Sequence, residues 1–351
     1  MNDSSLFSNE PPKIEPRPPL GEDLLPPVEQ PSARFIIQLF VVPALIVALI
    51  VAVWLAFNWL VRSTELGPDQ LIQGIEQGPN VARWQRAREL ADMLQDKRYP
   101  EFRQSHKAAG DLARMLDREL DEAETKEGAI EFRKYLVRAL GEFDVEDGTD
   151  VLLKAAKTNR DPADQKVRDA AIQAIAVRAY NLSKLNPPVQ LSAAELEPTL
   201  LQLAADTDPV IRFQTAYTLG HIGTPVAVKQ LEVMVDDPDA GTRYNAAVAL
   251  AHRGNVKSID TLTEMLDMNE QAGVRDEKEE GKQFKRTVLI VSAIDATRAL
   301  AKQNPKANLA PIISALEQIA SADKETLKKA NVSPRVVSDA KVALDLLKAE
   351  K

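Results

Sequence analysis

Three histidines, His106, His221 and His252, are the only imidazoles in this 351-residue chain. His221 and His252 stand at equivalent places in two neighbouring segments of like sequence. Imidazole is a common metal ligand, so a metal shared between them is the first chemistry to weigh. One zinc needs its ligands ~2 Å away, whereas packed helices lie ~8–10 Å apart, and carboxylate partners would still be required. The same position holds Asp92, Glu142 and Val177 in other segments, which suits an exposed helix end. No metal site is expected there. Nor does the sequence offer a catalytic constellation: no Ser-His-Asp order, no Gly-rich phosphate loop and no His-Glu-x-x-His. Cysteine is absent, which excludes disulfides, thiolate metal sites and a thiol nucleophile. No catalytic residue, no metal and no cofactor is expected.

Arginine recurs more regularly. Arg83, Arg133, Arg168, Arg212 and Arg243 each open an amphipathic run with apolar residues four and seven places on. A cation near a helix N-terminus opposes the macrodipole, so each should find a carboxylate. Asp206, Asp208, Asp236 and Asp237 lie close in sequence. The expectation is a structural ladder of ion pairs between repeats, in preference to a charged surface for an acidic partner. Trp84, Phe102, Phe132 and Tyr135 have the spacing of packing residues.

These residues sit on a repeated unit. DPVIRFQTAYTLGHIG at 208–223 and DAGTRYNAAVALAHRG at 239–254 align with Arg212 on Arg243, Phe213 on Tyr244, Ala216 on Ala247 and Gly223 on Gly254. Phe213, Ala216, Tyr217 and Gly220 share one helical face. Thr224 is a candidate N-cap with Pro225 in the first helical position, and Asp208-Pro209 and Ser333-Pro334 repeat the signal. Gly223 and Gly254 close the second helices, where a left-handed residue is required. The pattern extends to about seven helix pairs, at 67–96, 103–143, 147–181, 192–223, 224–254, 256–303 and 307–349. Two-helix units of this length cannot bury an apolar face alone and must stack.

Asp208–Gly254 resembles HEAT repeats, especially the short class similar to those of phycobilisome lyases. The Asp-Pro turn, the early Arg of the second helix, the following Ala and Leu and the closing Gly carry the resemblance. It is good over residues 190–265 and looser over 67–180 and 280–349. It implies an α-solenoid and a protein-binding or scaffolding role, without implying lyase activity or a bilin site. The fold class expected is therefore all-α, an α-solenoid of about seven HEAT-like helix pairs behind a single transmembrane helix.

Two insertions break the pitch: KLNPPVQL at 184–191 and EQAGVRDEKEEGK at 270–282. Inserted loops of a solenoid project from one edge, often where partners bind. Arg275, Asp276, Glu277 and Lys278 of the second form a candidate partner-binding loop. The alternative is a solvated extension of the following helix.

The transmembrane helix is read from residues 35–61, which carry no charge. About 20 apolar residues suffice to cross the hydrocarbon core. Trp59 lies at the far end, Trp54 one turn deeper, and Arg34 and Arg62 bracket the span. Lys13, Arg17 and Arg34 precede the span and Arg62 alone follows closely, which orients the N-terminus to the cytoplasm and the repeats to the far side. The domains expected are a disordered Pro-rich tail (1–34), a transmembrane helix (35–62) and a HEAT-like repeat domain (65–351). The tail holds eight prolines, six acidic and three basic residues. Pro16–Pro19 has Pro-x-x-Pro spacing, but a solvated spacer is the expected role.

Net charge is −8, from 44 basic and 52 acidic residues, so nucleic acid is not an expected partner. The function expected is a membrane-anchored protein-binding scaffold. The alternatives are an enzyme or enzyme subunit on the same solenoid, or a structural subunit of a membrane assembly.

Overall fold

In the computed structural model, the residues described are 32–64, 66–96 and 99–349. They divide between residues 65 and 66 into two units. The tail expectations, including Pro16–Pro19 and the cations Lys13 and Arg17, lie outside the described residues, as do the side chains of Trp59 and Arg62.

The first unit holds one helix, α1 (Ala33–Thr64), with Pro43 inside it. Ile37–Phe57, 21 residues with a mean hydropathy of 2.9, is long and apolar enough to cross a membrane, and none of it is buried. At a rise of 1.5 Å per residue such a stretch covers about 31 Å, the thickness of a hydrocarbon core.

The second unit is an α-solenoid. Its helices are α2 (Pro68–Gln77), α3 (Asn80–Gln95), α4 (Pro100–Arg103), α5 (His106–Glu122), α6 (Glu127–Gly141), α7 (Thr149–Lys157), α8 (Gln165–Ser183), α9 (Leu196–Ala204), α10 (Pro209–Ile222), α11 (Pro225–Met234), α12 (Ala240–Ala251), α13 (Ile259–Leu266), α14 (Glu279–Gln303), α15 (Ala310–Ser321), α16 (Lys324–Lys329) and α17 (Arg335–Ala349). No strand occurs among the described residues. Seven antiparallel pairs stack in order: α2–α3, α5–α6, α7–α8, α9–α10, α11–α12, α13–α14 and α15–α17.

Capping residues set where the helices begin. The side chains of Ser105, Asp208, Thr224, Asp239 and Asp323 each accept a backbone N–H from the first turn of the helix they precede. Pro209 and Pro225 occupy first helical positions, where a missing N–H costs nothing. Gly223 (φ 67°) and Gly254 (φ 71°) take the left-handed conformation that ends these second helices.

The two helices of a pair play different parts. The second helices, α3, α6, α8, α10, α12, α14 and α17, pack along one another in an unbroken row. From α2 to α11 the first helices touch their like neighbours only lightly. A row packed tightly on one side and loosely on the other must curve, so over these repeats the second helices form the inner layer. Small residues permit the close approach. A Cβ on Gly141 would lie 2.7 Å from the Ala174 Cβ, and one on Gly220 would lie 2.9 Å from that of Ala249. Between the layers runs one continuous core of leucine, alanine and isoleucine, including Leu90, Leu136, Ile172, Leu219, Leu250 and Leu300. Each buried leucine contributes roughly 2 kcal/mol of transfer free energy, and only stacking gives every pair access to it.

Candidate functional site

The recurring arginines stand at the turn that joins the two helices of a pair. Arg83 Nε donates to the Ile75 carbonyl (2.9 Å) and its Nη2 to Glu119 (3.0 Å). Arg168 Nε donates to the Ala156 carbonyl (3.2 Å) and its Nη2 to Asp206 (2.5 Å). Arg212 holds the Asp206 carbonyl at 3.0 Å and both oxygens of Asp237, at 2.8 and 2.9 Å. Arg243 holds the Asp237 carbonyl at 2.8 Å and Glu264 at 2.5 Å. In each case the carbonyl lies in or just past the last turn of the preceding helix, and the carboxylate belongs to the following pair. The guanidinium therefore meets the negative end of a neighbouring dipole, a favourable placement that its position on its own helix conceals.

Arg133 departs from the expectation of a carboxylate partner. Its Nη1 and Nη2 donate to the carbonyls of Glu119 (3.4 Å) and Glu124 (2.7 Å), and burial lowers its pKa, with Asp164 opposing through space. Free helix-end carbonyls satisfy a guanidinium without a full anion. Asp236, expected among the partners, is exposed and forms no ladder contact, while Asp208 caps α10 and accepts from Gln165 (2.7 Å).

Two members are missing from the sequence reading. Arg286, 5% exposed, donates to the carbonyls of Ala330 (2.5 Å) and Glu270 (3.2 Å), joining α14 to the last pair. Ile290 and Ala293 follow it with the same four- and seven-residue spacing, so the signal was present but displaced by the 270–282 insertion. Arg178 is wholly buried and donates to the carbonyls of Leu140, Glu146 (3.3 Å) and Asp147 (2.9 Å) and to Thr149 Oγ1 (3.0 Å). Arg253, ten residues after Arg243 as Arg178 is after Arg168, shares its place and likewise donates to the end of the preceding second helix, at Gly220.

The ladder titrates. Burial alone would raise the carboxyls of Asp206 and Asp237. Backbone N–H groups of Asp208 and Asp239, with Arg168 and Arg212, outweigh it and hold both below the usual range. A depressed folded pKa adds stability above the unfolded value, lost as pH falls toward the folded one. The urea midpoint of the full chain is therefore expected to drop as pH falls below about 4. In Asp237→Asn that drop should be shallower, on a stability already lower by about 1–3 kcal/mol.

Along the inner layer the exposed side chains change character. The first half presents exposed Arg88 and Lys166 and half-buried Arg138. On α10 apolar side chains replace them: Val210, Phe213 and Tyr217 stand 46%, 36% and 48% exposed, and further on Phe284 of α14 reaches 76%. Tyr217, Val248 and Val291 each lie five residues after their arginine, so one row crosses α10, α12 and α14. Tyr217 and Tyr180 meet the His221 ring edge-on at 4.6 and 5.7 Å between centroids. Burial lowers the His221 pKa, and the charges of Arg253 and His252 lower it further. Among the described residues no group of three or more histidine, cysteine or carboxylate side chains is placed to hold a metal ion.

The 184–191 insertion is tied down by Val189 N–H to the Leu182 carbonyl (3.0 Å) and by buried Leu191. The 270–282 insertion folds back through Val274, which is buried, and Gly273 packs on Tyr244. Of its candidate loop residues, Arg275, Asp276 and Lys278 are exposed, and Glu277 pairs with Lys285 at 2.9 Å. An open groove of about 320 Å³ on the outer side is lined by Asp150, Lys154, Lys157 and Glu195.

Residues 161–240 and 196–280 match the family model of HEAT repeats. HEAT repeats are thus found over residues 161–280. No curated protein matches it. Solved structures that resemble it include the crystal structure of an engineered protein, at 15% identity, covering 80% of this chain and 98% of that one with a TM-score of 0.37. Human deoxyhypusine hydroxylase in complex with glycerol is 16% identical, with 80% and 96% coverage and a TM-score of 0.29. HEAT repeats commonly mediate protein–protein interaction. The fold by itself does not decide between a binding surface and an enzyme.

Proposed function

We propose that this protein is a membrane-tethered scaffold that binds a protein partner on the inner face of its HEAT repeats. The observation that carries the reading is the apolar row on that face. Val210, Phe213 and Tyr217 leave large side chains in water on a well-packed helix. Exposed apolar patches on rigid elements mark interaction sites, and aromatic anchors dominate binding energy. The arginine ladder is proposed to be structural, fixing the pitch and hence the spacing of the anchors. The loop residues Arg275 to Lys278 are proposed to flank the bound partner.

The tether is α1, and the support for it is Ile37–Phe57. Confinement to a membrane raises the local concentration of a membrane-bound partner without any new contact. By the count of flanking cations, the repeats lie on the side opposite the N-terminus. Deleting residues 37–57 is expected to move the protein from the alkali-resistant membrane fraction to the soluble fraction. Retention of the deletion variant in the membrane would remove the tether from the account. Replacing the span with an unrelated one should preserve partner capture. Loss of the partner on that replacement would favour a structural subunit that assembles through its span.

A further inference from the structure

At one edge of the inner face, where α8, α10 and α12 end, cations gather around the aromatic rings. Lys184 Nζ lies 5.1 Å from the Tyr180 ring centroid. Arg253 donates only to backbone carbonyls, of Ala249 (3.1 Å) and Gly220 (2.6 Å). His252 follows directly at the end of α12 and acts electrostatically on His221. Among the described residues no carboxylate forms an ion pair with Lys184, His221, His252 or Arg253, whereas the corresponding turn of α14 holds Asp295 paired to Arg298 at 3.6 Å. The ladder on the opposite edge neutralises most of its arginines with carboxylates. Among the described residues this edge leaves its two cations, Lys184 and Arg253, without a carboxylate partner beside apolar surface.

We infer that the partner segment bound on the inner face is acidic, laying apolar side chains over Phe213 and Tyr217 and a carboxylate between Lys184, His221 and Arg253. The inference rests on the proposal that the inner face is the binding surface, and adds the chemistry of what binds. Helix ends present carbonyls that repel an anion, so the cations must carry the recognition. A guanidinium and an ammonium, with the His221 ring as a further N–H donor beside two tyrosine rings, fit a carboxylate next to an apolar or aromatic residue. A basic or neutral segment would leave the edge unpaired or add like charge, which costs affinity.

The test uses the full chain in lipid nanodiscs and synthetic peptides of fixed apolar content in three versions, carrying Asp and Glu, the isosteric Asn and Gln, or Lys and Arg. The acidic version should bind at least about tenfold more tightly than the amide version, and the basic version least. Lys184→Glu with Arg253→Glu should abolish the preference, Arg253→Lys should keep it, and Phe213→Ser with Tyr217→Ser should weaken all three versions. Should the double charge reversal lose its helical signal, Lys184→Gln alone, at an exposed side chain, gives the same comparison. Equal binding of acid and amide peptides, or a preference that survives charge reversal, overturns the acidic inference while leaving the inner-face reading intact. Binding indifferent to Phe213→Ser and Tyr217→Ser, or no binding of any version, overturns the inference, and indifference overturns the inner-face reading with it.

Discussion

Replacing Arg178 with methionine lowers the unfolding free energy of the repeat domain by about 3–5 kcal/mol, read as a fall in the urea midpoint of the full chain in detergent. The reason is the number of groups that depend on one guanidinium. Its amino groups hold the C-terminal end of α6 through the Leu140 carbonyl and the turn before α7 through Glu146, Asp147 and Thr149. Burial brings its pKa down to about 10, opposed by the nearby charges of Asp147 and Glu146, so it stays charged in neutral solution. Methionine fills a similar volume but removes a donor from three carbonyls and a hydroxyl; those of Leu140 and Glu146 keep backbone N–H partners, whereas Asp147 loses the guanidinium that holds its carbonyl. Lysine keeps the charge without the fork and should recover only part of the loss. A cost under about 1 kcal/mol for the methionine variant would mean that water or a backbone shift satisfies these carbonyls instead.

Changing Phe213 and Tyr217 together to serine abolishes partner binding, by about a hundredfold or more, while leaving stability within about 1 kcal/mol. Both side chains are more than a third exposed, so the folded state loses little. An interface anchored on aromatic side chains commonly loses 2 kcal/mol or more per anchor removed. The paired control lies on the outer layer. Val226 and Val233 of α11 are 40% and 65% exposed, and serine at both should leave binding unchanged. Equal losses from the two pairs would show that exposed apolar surface in general, and not the inner face, supports binding.

Much of the fold is legible because a solenoid writes its repeat into the chain. Asp208, Pro209, Arg212, Ala216, Leu219 and Gly223 each have a local physical task, and the same tasks recur in the next pair. Capping residues and proline mark where helices start, and glycine marks where they stop. The arginines were legible as a set but not in their contacts. An argument from one helix sees the cation at the wrong end of its own dipole; the preceding helix, which supplies the carbonyls, enters only with the tertiary fold. Arg133 shows the difference, since carbonyls alone hold it. Arg286 was hidden by an insertion that stretches the local repeat and folds back through Val274. The Tyr180–Tyr217–His221 cluster combines residues at unlike positions of different repeats, so no spacing could have joined them. The apolar inner row was present as Phe213, Tyr217, Val248 and Val291. Only curvature separates it from the core face.

The most direct measurement is site-specific photocrosslinking of the full chain in its native membrane. A crosslinking side chain is placed at the exposed inner-face residue Gln173 or Val210 and, in parallel, at the outer-layer residues Lys229 or Val233. The account predicts one reproducible adduct from the inner positions, lost when Phe213 and Tyr217 are serine, and none from the outer positions. An adduct from the outer positions alone, or inner adducts that persist in the serine variant, would contradict it.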